Sequence, residues 1–345
     1  MLVTVARRRR RRRRGTIGIM LEHPRESPVR TIDLHAWRTG DAADRAGVAA
    51  EFGASMTEAG FVVVTGHGIP DATAAALRAA VLEFFTLDAA TKAPYRVGQL
   101  GDPGWVPYGK EANAYSAGEE SPPDLKESFV ATTADLGGHD DALPSVWPDE
   151  IPALRVAARE WLAGAEAAHL ELLRVAAASL GVDDIEYLAE RAGHTNILNL
   201  NWYPPRTHLA AMNEMVLDGQ WRIGPHTDFG TLTLLDRQPG LGGLQVQIAD
   251  GTWVDAPWVP GALVVNGGDL LEAWSGGRWR SSPHRVLPPP ADDPHESLVS
   301  LIYFCDPAPD VEIAPLPGVD APDAFAPFNA GEYLRSKLDQ ITVDG

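Results

Sequence analysis

Apolar residues recur along this chain with two different periods, and the change of period divides it. Over residues 41–59 and 71–87 they recur at helical spacing, with Asp41 and Asp71 placed to cap the starts and Gly60 to end the first helix. TIDLHAW before them reads as a short strand, and FVVVTGHGI between them as a buried one. Residues 151–180 predict a long helix, because Leu154, Trp161, Leu162, Leu172 and Leu173 form one stripe and Gly181 supplies a stop. A shorter helix covers 184–192.

Beyond it the period becomes two. In ILNLNWY, Leu198, Leu200 and Trp202 take one face while Asn199, Asn201 and Tyr203 take the other. Further strands are expected at 231–236, 244–248, 262–266 and 298–304, with turns such as PGLGG and ADG between them. This spacing predicts an antiparallel sandwich or barrel, and the polar face of ILNLNWY would surround a wet interior. NAGEYLRSKLDQI closes the chain as an amphipathic helix capped by Asn329. Residues 98–128, rich in Gly, Pro and Tyr, read as a long ordered loop with Trp105, Tyr108 and Tyr115 as candidate substrate contacts.

With 345 residues, 45% of them apolar, the chain can bury a large core. Its net charge is −18, and apart from the run Arg7–Arg14 it carries 21 basic against 47 acidic residues. A body so acidic repels nucleic acid and anionic membranes, so neither is an expected partner. Cys305 is the single cysteine, which rules out an intrachain disulfide and fits a reducing cytosol. No apolar run approaches membrane-spanning length.

Eight adjacent arginines repel one another, so residues 1–28 are expected to be a disordered, dispensable tail. GTIGIMLEHP is too short and polar for the apolar core of an export signal, and Met20 is a candidate start. Residues 29–180 and 181–345 are expected to form one structural unit, the second part being a β core.

The chemistry begins with His226 and Asp228, two apart before the alternating run TLTLLD. On one strand that spacing would aim an imidazole and a carboxylate at one point. His284 in RWRSSPHRV offers a third ligand. Two His and one carboxylate are the set that binds non-haem Fe(II) and leaves three coordination positions open. Zinc would ordinarily recruit cysteine, and nothing in the spacing brings Cys305 in. A second pair, His139 and Asp141 in GGHDDALP, lacks any strand pattern and reads as a solvated loop. His67 reads as a turn histidine, and His169 as a satisfied structural one on the long helix.

The segments HTDFGTLTLL, GGLQVQ, G-x-WVDAP and VPGALVVNGGDLLEAWSGGRWRSSPHRV stand in one order. Together they resemble the isopenicillin N synthase-like branch of the Fe(II)/2-oxoglutarate oxygenases, and the likeness runs from about Val29 to Ile341. It implies a mainly β fold with flanking helices, a distorted double-stranded β-helix of jelly-roll type. It also implies Fe(II) on His226, Asp228 and His284, with 2-oxoglutarate and O2 as cosubstrates. The N-x-Y-P motif, here Asn201 to Pro204, would put the Tyr203 hydroxyl beside the cosubstrate carboxylate. The implied reaction hydroxylates, desaturates or cyclises a small organic molecule at an unactivated C–H bond, as in secondary metabolism.

One departure stands out. The family holds the far carboxylate of 2-oxoglutarate with Arg-x-Ser, and alignment on LIYFCDP puts Ser300 at the serine but Leu298 at the arginine. Shifting to His295-x-Ser297 breaks the YFCDP match, and no arginine lies between Arg285 and Arg335. A relocated anchor would draw on Arg222 or Arg280, which share parity with His226 and His284 across Pro225 and Pro283, with Tyr203 and Ser300 completing the pocket. Two alternatives stay open at this point: an oxidase that needs no oxo acid, and an inactive metal-binding scaffold.

Overall fold

The first strand, β1 (Arg30–Asp33), is shorter than TIDLHAW predicts, because Asp33 leaves it to cap a helix. Its carboxylate accepts from the His35 N–H at 2.9 Å, and Leu34–Thr39 turn as α1. The computed structural model describes residues 27–118, 121–132, 145–192, 195–211, 220–290, 292–293, 295–320 and 325–342. The arginine run and the His139/Asp141 pair lie outside the described residues.

Asp41 caps α2 (Ala42–Glu58) in a reciprocal box with Asp44, and Gly60 at φ 67° turns the chain into β2 (Phe61–Thr65). α3 (Asp71–Phe85) starts at Asp71 itself, with Pro70 in the cap position, and α4 (Ala89–Lys92) follows. The stretch read as a loop contains β3 (Gly104–Val106) and runs into β4 (Glu127–Thr132). β3 is too short to display a period, and all six β4 residues are buried, so neither alternates.

α5 (Pro152–Leu180) stops at Gly181, which takes φ 73° and closes the helix end. α6 (Glu186–Ala192), β5 (Thr195–Tyr203) and α7 (Arg206–Ala211) come next. The rest of the strands are β6 (Ile223–His226), β7 (Leu232–Asp236), β8 (Leu244–Gln247), β9 (Trp253–Asp255) and β10 (Leu263–Gly267). After α8 (Asp269–Trp274) follow β11 (His284–Val286), β12 (Leu298–Asp306), β13 (Glu312–Ile313) and β14 (Phe328–Asn329). α9 (Ala330–Ile341) is capped by the Asn329 side chain.

An eight-stranded sheet runs in the order β1-β2-β10-β7-β12-β5-β4-β3, and a four-stranded one in the order β6-β11-β8-β9. β1 and β2 join through β10, while β3 and β4 join through β5, so strands from both halves of the chain share one sheet. The two sheets supply opposite walls of one cavity, the arrangement of a double-stranded β-helix. Strand parity on β5 explains the division of labour. Leu198, Leu200 and Trp202 turn outward into the core that α3 and α5 complete, with Trp202 stacked on Phe85 at 5.6 Å, while Asn199, Asn201 and Tyr203 line the cavity. A smaller apolar cluster, including Phe61, Val63, Val246 and Val264, forms a second core. No helix among the described residues is long and apolar enough to cross a membrane.

Candidate active site

His226 is the last residue of β6, and TLTLLD is a separate strand in the other sheet, so His226 and Asp228 do not share one strand as their spacing predicts. The segment between them crosses from sheet to sheet. Its carbonyls are held from α8: Gly268, Asp269 and Leu270 donate their N–H groups to Thr231, Asp228 and Gly230 at 2.7, 2.9 and 3.0 Å. A Cβ on Gly268 would stand 2.4 Å from the Gly230 oxygen, so this contact needs glycine. β11 then brings His284 directly opposite His226 on β6.

The three side chains are buried and offer ligand atoms within 4.8 Å of one another. Asp228 Oδ1 lies 3.8 Å from His226 Nε2 and 3.7 Å from His284 Nε2. Each imidazole has its Nδ1 against a carbonyl, Gly224 at 2.8 Å and Ser282 at 3.2 Å. A carbonyl only accepts, so Nδ1 carries the proton in the neutral ring and Nε2 keeps its lone pair for a metal. Thr233 Oγ1 and Asn266 Nδ2 donate to Asp228 Oδ2 at 2.5 and 2.7 Å, which leaves Oδ1 turned to the histidines.

Burial, then the neighbouring His226, pushes His284 down to about 4 against the pull of Asp228, so the ring is neutral at pH 7. Burial alone would raise the Asp228 carboxyl. The two histidines with the Asn266 and Thr233 hydrogen bonds outweigh it and hold the group below its ordinary value. A divalent cation needs an ionised carboxylate and imidazole lone pairs aimed at it, and the hydrogen bonds on Asp228 Oδ2 and on the two Nδ1 atoms turn Oδ1 and both Nε2 atoms to one point, so the donor set fits Fe(II).

The cavity around this set has a volume of about 270 Å³. Tyr203, Ser300, Leu298, Arg222, Asn201 and Lys126 line one part of it. Arg222 is buried, pairs with Glu296 at 2.6 Å, and has its guanidinium carbon 5.3 Å from the centre of the Tyr203 ring. Arg280 is not among the lining residues, contrary to its parity with His284. Regular strand begins only at His284, so the count does not carry back through Pro283. The His295-x-Ser297 register is likewise off the site: His295 is exposed, and the Ser297 hydroxyl accepts from the Trp202 indole at 2.9 Å.

Trp105, Tyr108 and Tyr115 do not line the cavity either. Trp105 donates to buried Glu127 at 2.7 Å, and the stretch instead contributes Leu100, Gly101, Val106, Glu111 and Asn113. His67 is the turn histidine expected, with Nε2 2.8 Å from the Gly261 oxygen and Nδ1 accepting from Ile69 N–H. His169 is structural but not satisfied: its ring nitrogens have no hydrogen-bond partner among the described residues, and burial pushes it down to about 3, so it sits as a neutral ring edge-on to Tyr303.

Several cavity residues carry no local sequence signal. Leu334, Leu338 and Ile341 of α9 reach in from the end of the chain, and Tyr333 ties that helix to α8 by donating to Asp269 at 2.6 Å. Asp306 also lines the cavity, and burial together with Asp228 pushes its carboxyl up to about 7. Lys126 has a visible sign in the segment PDLKES, but its place on the cavity wall follows only from tertiary packing.

The family described as "2OG-Fe(II) oxygenase superfamily" matches residues 194–307, and "non-haem dioxygenase in morphine synthesis N-terminal" matches residues 29–150. Validamycin A dioxygenase of Streptomyces hygroscopicus subsp. limoneus is 37% identical over 322 residues, 92% of this chain and 87% of that protein. Proline hydroxylase buaE of Petromyces alliaceus is 32% identical over 83% of this chain and 91% of its own. Among solved structures, a full-length Neurospora crassa protein in complex with alpha-KG and thymine has a TM-score of 0.76 at 29% identity, covering 90% of this chain and 96% of that one. The chain belongs to the 2OG-Fe(II) oxygenase superfamily, and is an oxidoreductase that uses Fe(II), 2-oxoglutarate and O2.

Proposed function

We propose that His226, Asp228 and His284 hold the iron, that Tyr203, Ser300 and Arg222 receive the 2-oxo acid, and that the protein oxidises a small organic molecule at a C–H bond. The observation that carries this reading is the free Nε2, Nε2 and Oδ1 set turned to one point on the cavity wall. Validamycin A dioxygenase, proline hydroxylase and the thymine-bound Neurospora crassa protein are relatives whose names or ligands point to small polar molecules. A cavity of about 270 Å³ accords with a substrate of that size.

Iron(II) bound there supplies, with 2-oxoglutarate and dioxygen, the oxidising equivalents for C–H cleavage, with succinate and carbon dioxide as coproducts. The chain's own groups prepare the site for it. Thr233 and Asn266 fix the Asp228 carboxylate, and the Gly224 and Ser282 carbonyls fix the imidazole tautomers. Phe229, Phe304, Leu334 and Leu338 keep much of the cavity wall apolar, which limits water around the reacting centre.

The test is oxygen uptake by the iron-loaded protein against a panel that includes validamycin A, proline and thymine, with succinate measured in parallel. Substrate-dependent uptake with stoichiometric succinate supports the reading. Uptake that proceeds without any oxo acid overturns it in favour of an oxidase.

A further inference from the structure

The position that departs from the family pattern, Leu298, can be placed within a grid of side chains. It stands directly across the β12–β5 ladder from Tyr203, and Ser300 stands across from Asn201. On the other side of β5, Ser128 pairs with Asn201 and Glu127 with Trp202, and Lys126 stands one residue before β4, outside the ladder. One row therefore crosses three strands, with Ser128, Asn201 and Ser300 side by side, and the next row holds Tyr203 and Leu298. Lys126 Nζ is tied to the first row by its bond to Ser128 Oγ, so its ammonium reaches the cavity from the β4 side of β5 while Leu298 lies on the β12 side. A lysine side chain, which reaches about 6 Å, can bring its ammonium over the Tyr203 hydroxyl from the β4 side.

Lys126 faces the cavity and is buried, with its side chain 3% exposed. Its Nζ donates to Ser128 Oγ at 2.8 Å and pairs with Glu111, and Ser128 in turn donates to Asn201 Oδ1 at 2.8 Å. An ammonium has three protons, and those two contacts use two of them. Arg222, the other cation at this part of the cavity, is held by Glu296. A dicarboxylate entering here would meet apolar Leu298 on one side of Tyr203 and an ammonium on the other. Burying its carboxylate without a cation would cost too much for useful affinity.

We infer that Lys126 supplies the positive charge that Leu298 does not, and binds the distal carboxylate of the 2-oxo acid together with Tyr203 and Ser300. The inference rests on the reading of this cavity as the 2-oxo-acid site, and adds to it a residue from the opposite side of β5. Burial pushes the Tyr203 phenol up, and Lys126 opposes that push ahead of Arg222, as a charge beside the hydroxyl would.

The test uses Lys126→Met, Lys126→Arg and the double variant Lys126→Met/Leu298→Arg. Affinity for 2-oxoglutarate is read from the charge-transfer absorption of the anaerobic Fe(II) protein, and iron affinity from chelator competition. Losing one charge-assisted contact should weaken 2-oxoglutarate binding by about tenfold to a hundredfold in Lys126→Met, with iron affinity unchanged. Lys126→Arg should keep most of the affinity. Leu298→Arg should restore most of what Lys126→Met loses, because it puts a cation back beside Tyr203. If Lys126→Met melts early, Lys126→Met/Glu111→Gln removes the stranded carboxylate and carries the same expectation. Unchanged 2-oxoglutarate affinity in a folded Lys126→Met protein overturns the inference, as does a loss that Leu298→Arg does not recover at all. An unmodified protein that binds iron but shows no absorption change with 2-oxoglutarate overturns the reading of the cavity itself.

Discussion

His284 pairs directly with His226 across the β6–β11 ladder, with ring centroids 4.2 Å apart, although 57 residues separate them in the chain. The ladder sets the distance between the two Nε2 atoms before any metal arrives. Asp228 comes to the same point from the segment between the sheets, so the three candidate ligands rest on three different pieces of backbone.

His226→Ala and Asp228→Ala should each fold and each lose iron. Two remaining ligands cannot fix the coordination geometry, so elemental analysis should fall from about one iron per chain to a small fraction. Full occupancy in both variants would remove these residues from the metal site.

Asn266→Ala should weaken iron binding without removing a ligand. Asn266 and Thr233 share Asp228 Oδ2, and without the amide the carboxylate is free to rotate its oxygens. Losing such an outer partner typically costs about tenfold to a hundredfold in metal affinity. Chelator competition measures it, and affinity equal to the unmodified protein would show that Thr233 alone is enough.

Much of this site could be read from the residues because its chemistry is local. His226, Asp228 and the β5 parity of Asn199, Asn201 and Tyr203 follow from spacing, and His284 from its motif. What the spacing could not convey was the sheet switch after His226, because a turn between two sheets has the same two-residue offset as a strand. Arg280 misled for a similar reason: parity holds only inside a regular strand, and β11 does not begin until His284. Lys126, Asp306 and the α9 residues enter through register and tertiary packing, which no short window contains.

Asp306 should make the metal-free protein lose stability as pH rises. Its carboxyl is pushed from 3.8 up to about 7 by burial and by Asp228, so the folded state favours the protonated form. That preference leaves stability highest below about pH 4, lowers it progressively between about pH 4 and pH 7, and holds it level above. At about 1.4 kcal/mol per unit the effect is capped near ~4 kcal/mol, and water in the cavity reduces it. Asp306→Asn should therefore raise the melting temperature at pH 8 and change it little at pH 4.5. An equal shift at both values would mean that the charge of Asp306 is not the cause.

Glu296 holds Arg222 in a pair whose side chains are 3% and 9% exposed, and it also accepts from the Leu241 N–H. If Arg222 belongs to the 2-oxo-acid site, Glu296 competes with the ligand for the guanidinium, and removing its charge should have two opposite effects. Breaking a buried ion pair strands a charge, which costs about 3–5 kcal/mol when a partner is deleted and less when an isosteric amide keeps the hydrogen bond. Glu296→Gln should therefore melt below the unmodified protein when no ligand is present. The same stranded guanidinium would then be available to a carboxylate, so 2-oxoglutarate should raise the melting temperature of Glu296→Gln by more than it raises that of the unmodified protein. Melting both proteins with Mn(II), with and without 2-oxoglutarate, separates the two effects. A lowered melting temperature with an equal or smaller gain from 2-oxoglutarate would make Arg222–Glu296 a scaffold pair, and would leave the carboxylate to Lys126, Tyr203 and Ser300.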